Sequence, residues 1–291
     1  MMLWRAIFDR PRSGPMNMAV DEAMLQLVGQ GAGPPTLRLY GWARPTISLG
    51  YFQRAAAEVD LEACAADGVP VVRRPTGGRA VFHDDEVTYS IVIPQAMMPG
   101  SVLETYRLLS GGILQALAYL GLHGELATPA VRGDGAGATG RERYGGNGGH
   151  ARRAPGDGMQ SACFDSPSWY ETLVGGRKII GSAQTRQGGA LLQHGSLLVG
   201  FDRARLAGLL RSGTRRDRDE LAATLGRRVT SLEAEMGRRP SRREVQRALA
   251  CGMARALSLY LVSAGYSARE REMARRLCRE KYKTSEWTMR R

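Results

Sequence analysis

Apolar positions along the chain follow two rhythms, and each rhythm predicts an element. LWRAIF (3–8) reads as a first strand. MNMAVDEAMLQLV (16–28) repeats near 3.6 residues, with Met18, Met24, Leu25 and Val28 roughly on one side, and predicts a helix. TLRLYGW and TISLGYF alternate as strands on either side of Pro45. AEVDLEACAADG predicts one helix ending at Gly68. VPVVRR, AVFHD and VTYSIVIP then predict strands around a Gly77-Gly78 turn. Ser101-x-x-Glu104 is a capping box, and it opens a helix carrying Leu103, Tyr106, Ile113, Leu117 and Leu120. YETLV, RKIIGSAQ and ALLQHGSLLV predict three more strands. The last third reads as helical, with capping boxes at Ser241-x-x-Glu244 and Ser267-x-x-Glu270. The first of these starts a face of Val245, Leu249, Met253, Leu257 and Leu261. Strands in the middle, with helices between and after them, predict an α+β fold with a mixed central sheet and surrounding helices.

Three segments are expected. Residues 1–33 form a strand and helix packed on the core, 34–265 the main domain, and 266–291 a helical tail. Within the main domain, 131–160 holds ten glycines and five arginines and almost no large apolar residue. Such a stretch buries too little to offset its ordering entropy, so a mobile surface insertion is predicted there.

Composition narrows the class of protein. In 291 residues, 43% are hydrophobic and 24% charged, as in an ordinary globular chain. Arg5, Asp9 and Arg10 stand where a signal peptide needs an apolar run, and no run is long enough to span a membrane. A cytoplasmic protein with no membrane partner is expected. The four cysteines Cys64, Cys163, Cys251 and Cys278 form no C-x-x-C pair and have no histidine at metal-ligand spacing. Cys64 and Cys251 lie in Ala-rich helical runs and read as packing residues. The net charge of +13 favours acidic partners, or reflects arginine on solvated faces. No helix-turn-helix or RNA-binding signature accompanies it, so nucleic acid is not expected as a partner.

Two clusters carry the candidate chemistry. In RRPTGGRAVFHD (73–84), paired arginines precede a Gly-Gly turn whose backbone N–H groups can approach a ligand closely; a plain hairpin turn fits the same residues. In the second, Cys163 stands just after the glycine-rich stretch and Lys178 fifteen positions on. A thiol is a nucleophile as thiolate, and a nearby ammonium favours that form. Taken blind, Cys163 also fits a small buried residue and Lys178 a solvated one. Gly181, Ser182 and Ala183 leave room for a chain-like ligand, and His194 in QHGS is a second candidate base.

Read together, RRPTGGRAVFHDDEVTYS and KIIGSAQTRQGGALLQHGSLL resemble the lipoate–protein ligase and octanoyltransferase superfamily, from about Pro34 to about Gly265 and on toward the KYKTSEW tail. The resemblance implies a biotin/lipoate-protein-ligase type of catalytic domain. ATP-dependent ligases carry a third glycine where Arg79 stands, and they lack the cysteine. ACFDSPSWYE followed by GRKIIGSAQTRQ is similar instead to the cysteine-dependent octanoyltransferase branch. That branch implies Cys163 as acyl-thioester nucleophile and Lys178 as the residue lowering its pKa. Arg74, Gly77, Gly78, Arg79, His83, Gly181, Ser182 and Ala183 are implied to line the substrate site. The implied donor is octanoyl-acyl carrier protein, and the implied acceptor a lysine of glycine cleavage H protein or another lipoyl domain. No metal or other cofactor is implied. An amidotransferase moving octanoyl between carrier proteins, an ATP-dependent lipoate ligase and, distantly, a nucleic-acid-binding regulator are the alternatives.

Overall fold

The computed structural model describes residues 2–98, 100–127 and 171–290. The expected insertion at 131–160 and Cys163 lie outside the described residues. The chain opens with β1 (Met2–Phe8), α1 (Gly14–Gly29), β2 (Thr36–Tyr40) and β3 (Thr46–Leu49). Two short helices follow, α2 (Ala55–Glu58) and α3 (Leu61–Ala66), then β4 (Val71–Arg73), β5 (Val81–His83) and β6 (Glu86–Pro94). The middle holds α4 (Val102–Tyr119), β7 (Gly124–Leu126), β8 (Thr172–Val174), β9 (Arg177–Gln187) and β10 (Ala190–Leu198). Beyond these come α5 (Arg203–Leu209), α6 (Arg215–Arg228), α7 (Leu232–Met236) and α8 (Arg242–Ala256). The chain then runs through β11 (Leu259–Ser263), α9 (Ala268–Leu277), a π-helical turn at Cys278–Tyr282 and α10 (Ser285–Met289).

The strands form an eight-stranded mixed sheet, ordered β11-β1-β2-β6-β10-β9-β8-β7, and a three-stranded sheet, β4-β3-β5. β1 pairs in parallel with both β11 and β2, so the N-terminal strand lies inside the large sheet. From β2 onward the large sheet is antiparallel. On one face α4 and α8 bury Leu109, Ile113, Leu117, Leu249 and Met253 against Tyr89, Ile91 and Leu191. On the other, α1 sits between the sheet and α9. No helix among the described residues is long and apolar enough to cross a membrane.

Several elements differ from the sequence reading for local reasons. The helix expected over 57–68 breaks at Val59-Asp60, because the Asp60 carboxylate accepts from the Ala63 N–H at 2.9 Å and caps α3. The helix expected to continue through Leu261 stops at Ala256. Ser258 takes a left-handed φ of 53°, and the chain turns into β11. β7 carried no legible signal in the pattern. α1 is apolar nearly all round, with Ala19, Ala23, Leu27 and Met24 buried together, so one predicted face became a fully enclosed helix. The Ser101 and Ser267 boxes form in full; Ser241 caps its helix, while Glu244 turns to Arg238. Cys64 is buried as expected. Cys251 is exposed, because α8 buries the face that carries Val245, Leu249 and Met253.

α4 and α8 cross in near contact at Gly112 and Gly252. A Cβ on Gly252 would collide with the Gly112 carbonyl and the Ala116 backbone N–H. Helix propensity alone favours alanine over glycine by about 1 kcal/mol. Overpacking of backbone against backbone reverses that sign, at about 1–3 kcal/mol. Gly252→Ala is therefore expected to lower the urea midpoint of unfolding, and a raised midpoint would show that the helices do not cross this closely.

Candidate active site

A cleft with about 420 Å³ of space, counting the part open to solvent, lies between the two sheets. Met18 of α1, with Tyr40 and Trp42 at and just after the end of β2, adds apolar surface to its lining. Its polar walls come from Ser48, Arg74, Gly78, His83, Thr88, Gly181–Ala183 and His194–Ser196. Strand register brings these walls together. Ser196 stands opposite Gly181 on one side and Thr88 on the other, while His194 stands opposite Ala183 and Ser90. Residues far apart in sequence thus share two rows across β9, β10 and β6.

Two histidines face the cavity, each held between a carboxylate and a hydroxyl. His83 Nδ1 lies 2.8 Å from Glu86 Oε1, and its Nε2 lies 2.7 Å from Ser48 Oγ; the ring stacks on Trp42 at 3.8 Å. His194 Nδ1 lies 3.2 Å from Asp21 Oδ2, and its Nε2 lies 2.7 Å from Thr76 Oγ1. A carboxylate only accepts, so Nδ1 of each ring carries hydrogen. Burial holds the His194 pKa below its ordinary value; Asp21 opposes this, and the charges of Arg74 and His83 add to it. In the neutral ring, Nε2 therefore accepts from Thr76.

Both carboxylates stay ionised although buried. Burial presses each toward the neutral form. For Glu86, His83 and the hydroxyls of Ser196 (2.6 Å) and Thr88 (2.5 Å) outweigh burial and lower the pKa. For Asp21, Arg38 at 2.8 Å leads the groups that outweigh burial, and the pKa is again lowered. Arg38 is itself fully buried, bound also to Asp9 and Asn17, with its guanidinium 3.7 Å above the Tyr40 ring. On the other face of β6, beneath α4 and α8, Tyr89 donates to Ser182 Oγ at 2.9 Å and accepts from Gln193. Burial pushes its hydroxyl up to about 12, so it remains a donor.

Arg74 organises the glycine loop. Its guanidinium donates to the carbonyls of Ser48 (2.9 Å), Gly77 (2.8 Å) and Arg79 (2.6 Å). Gly78 adopts φ 91° and its carbonyl rests on Gly50, where a side chain would collide with it. Of the residues singled out in sequence, Arg74, Gly78, His83, Gly181, Ser182 and Ala183 line the cavity; Gly77 and Arg79 stand behind it and present carbonyls to Arg74. Lys178 is not a solvated residue: it is 4% exposed, and its Nζ lies 2.5 Å from Glu171 Oε1. It sits on β9, three residues or ~10 Å before Gly181. Its distance to Cys163 falls outside the described residues. Asp21, Arg38, Ser48, Glu86 and Tyr89 were missed by the sequence reading. The available signal was Asp21-Glu22 inside an otherwise apolar helix.

Residues 13–254 match the family model of the lipoyl protein ligase A/B catalytic domain. The chain belongs to this family. Over full length it is 46% identical to octanoyltransferase LipM of Kyrpidia tusciae, covering all of both chains. It is 44% identical to octanoyltransferase LipM of Symbiobacterium thermophilum, over 99% of this chain and 98% of that one. The fold matches a bipartite lipoate protein ligase from Thermoplasma acidophilum with TM-score 0.77 at 25% identity, covering 99% and 97% of the two chains. It also matches a lipoate-protein ligase A bound with ATP, with TM-score 0.76 at 25% identity, covering 99% of each. With such relatives over its whole length, this lipoyl protein ligase A/B family member is an acyltransferase.

A group whose folded pKa is depressed stabilises the fold above its ordinary pKa and loses that contribution as pH falls. Glu86 ordinarily titrates at 4.5, so its contribution is complete above that value and declines below it. Glu86→Gln is expected to be less stable than wild type at about pH 7, and to lose stability less steeply between about pH 4.5 and 3, in urea unfolding. Parallel curves for the two proteins would show that the ionised carboxylate does not support the site.

Proposed function

We propose that this acyltransferase takes octanoyl from acyl carrier protein onto Cys163 and passes it to a lysine of glycine cleavage H protein or another lipoyl domain. Octanoyl transfer in protein lipoylation is its activity. The observation that carries the reading is the full-length likeness to octanoyltransferases at 46% identity. The lower likeness to ligases extends to the fold.

A thioester is already activated, so the first step needs only a nucleophile. The Cys163 thiolate adds to the thioester carbonyl, the tetrahedral oxyanion collapses, and the carrier thiolate departs with its electron pair. Octanoyl is then a thioester on Cys163. The neutral amine of the acceptor lysine adds to that carbonyl, the Cys163 thiolate leaves, and loss of the amine proton completes the amide. Splitting the transfer lets two protein partners use one site in turn. Lys178 is the cation assigned to hold Cys163 as thiolate. Its burial limits screening by solvent, while the Glu171 carboxylate at 2.5 Å offsets part of its charge. Arg74, Gly78, His83 and Gly181–Ala183 hold the octanoyl chain and the carrier's arm, and Gly77 and Arg79 fix Arg74 through their carbonyls. Met18, Tyr40 and Trp42 offer the apolar surface that an alkyl chain needs.

Incubation with octanoyl-acyl carrier protein is expected to give one octanoyl adduct by intact mass. Cys163→Ala is expected to lose the adduct and the transfer; a fully active variant would remove Cys163 from the mechanism. Lys178→Ala is expected to move the pH midpoint of Cys163 alkylation upward, toward the ~8.5 of a free thiol. An unmoved midpoint would show that Lys178 does not act on the thiol.

A further inference from the structure

Arg73, the last residue of β4, and Arg74, which follows it, serve opposite sides. Arg74 holds the glycine loop, while the side chain of Arg73 turns away from the cavity and is fully buried. Its guanidinium donates to the carbonyls of Gly50 (2.8 Å), Tyr51 (3.2 Å) and Gln53 (2.8 Å), which form the turn after β3. It also donates to the carbonyls of Trp287 (3.2 Å) and Thr288 (2.8 Å), in α10. The contact runs both ways, since the Trp287 indole N–H donates to the Arg73 carbonyl at 3.0 Å. The tail therefore grips β4 by side chain and by backbone.

The turn that Arg73 fixes is the seat of the glycine loop. Gly50 lies against the Gly78 carbonyl, and the Tyr51 N–H donates to the Thr76 carbonyl at 2.9 Å. Thr76 in turn bonds His194, and Gly78 lines the cavity. The other end of the tail is tied to α1: Lys281 Nζ lies 2.8 Å from both oxygens of Glu22, and the Tyr282 hydroxyl donates to the same carboxylate. Trp287 is clasped between Lys281, 3.9 Å above its ring, and Arg290 at 4.4 Å; Arg290 also covers Tyr51 at 3.8 Å. The π-helical turn at 278–282 lets one short segment present Lys281 and Tyr282 to α1 and Trp287 to β4.

We propose that residues 281–290 form a strut that holds the glycine loop at the cavity, which makes Trp287 and Arg73 positioning residues of the transfer. The chain of contacts runs from Trp287 and Thr288 to Arg73, then to the 50–53 turn, then to Thr76–Gly78. None of these tail groups lines the cavity, so the strut acts on how the donor is seated and not on the bond-making atoms.

The test compares Trp287→Ala and Trp287→Phe with wild type, well below their unfolding temperatures. The kinetic arm rests on the proposed function. Trp287→Ala is expected to raise KM for octanoyl-acyl carrier protein about tenfold with kcat within about twofold, while Trp287→Phe, which keeps a ring and loses the indole N–H, falls between. Native-state hydrogen exchange supplies an arm independent of that function. The Tyr51 and Arg74 amides, bonded to Thr76 and Leu49, are expected to exchange faster in Trp287→Ala, with the β1–β11 ladder unchanged. Unchanged exchange at Tyr51 and Arg74, uniform acceleration through β1 and β11, or a fall in kcat at constant KM would each overturn the strut. Wild type that transfers no octanoyl would overturn the proposed function, and exchange would still decide the strut.

Discussion

The buried guanidinium of Arg38 is the interaction on which the rest of the molecule leans. It is wholly removed from solvent and lies between Asp9 at the end of β1 and Asp21 in α1, with Asn17 completing its donors. Removing one partner of such a pair strands a buried charge, at about 3–5 kcal/mol. Each carboxylate then reaches further. Asp9 takes Arg12 and the Tyr266 hydroxyl, which brings in the segment before α9. Asp21 takes Tyr40, Ser90 and His194, from β2, β6 and β10. One cation thus sets the docking of α1 on the large sheet and, through Asp21, the orientation of a histidine in the cavity.

This arrangement explains why so polar a cavity is stable inside the protein. Most of its histidine, hydroxyl and carboxylate atoms satisfy one another before any ligand arrives, while Glu86 Oε2 is buried without a hydrogen-bond partner. The small sheet forms one wall through Ser48 and His83, and the large sheet forms the other through β6, β9 and β10. Tying the walls together are polar bonds that cross between sheets, such as His83 to Ser196 and Thr76 to His194.

What was legible in the sequence was local. Alternation and capping boxes marked strands such as VTYSIVIP and ALLQHGSLLV and the starts of α4 and α9, because those signals act within a few residues. β11 was read as helix, since its pairing with β1 is supplied by a strand some 250 residues away. The site followed the same division. The motif residues Arg74, Gly78, His83 and Gly181–Ala183 were visible as wording and do line one cavity. Asp21 and Glu86 were passed over because an acidic residue in a helix or at a strand start ordinarily reads as a solvated one. Their burial depends on partners, Arg38 and His83, that only tertiary structure brings near.

The placement of β1 has a consequence for how the chain is made. β1 is synthesised well before β11, yet one of its edges pairs with that strand, residues 259–263, some 250 residues later in the chain. Until then that edge presents unpaired N–H and C=O groups beside exposed Leu3 and Phe8. Long-range parallel pairing of this kind is slow, because loop closure must precede any gain from contact. The nascent chain therefore carries an open, adhesive strand until β11 is made. Whatever shields that edge in the meantime bears on folding alongside the stability of the finished fold.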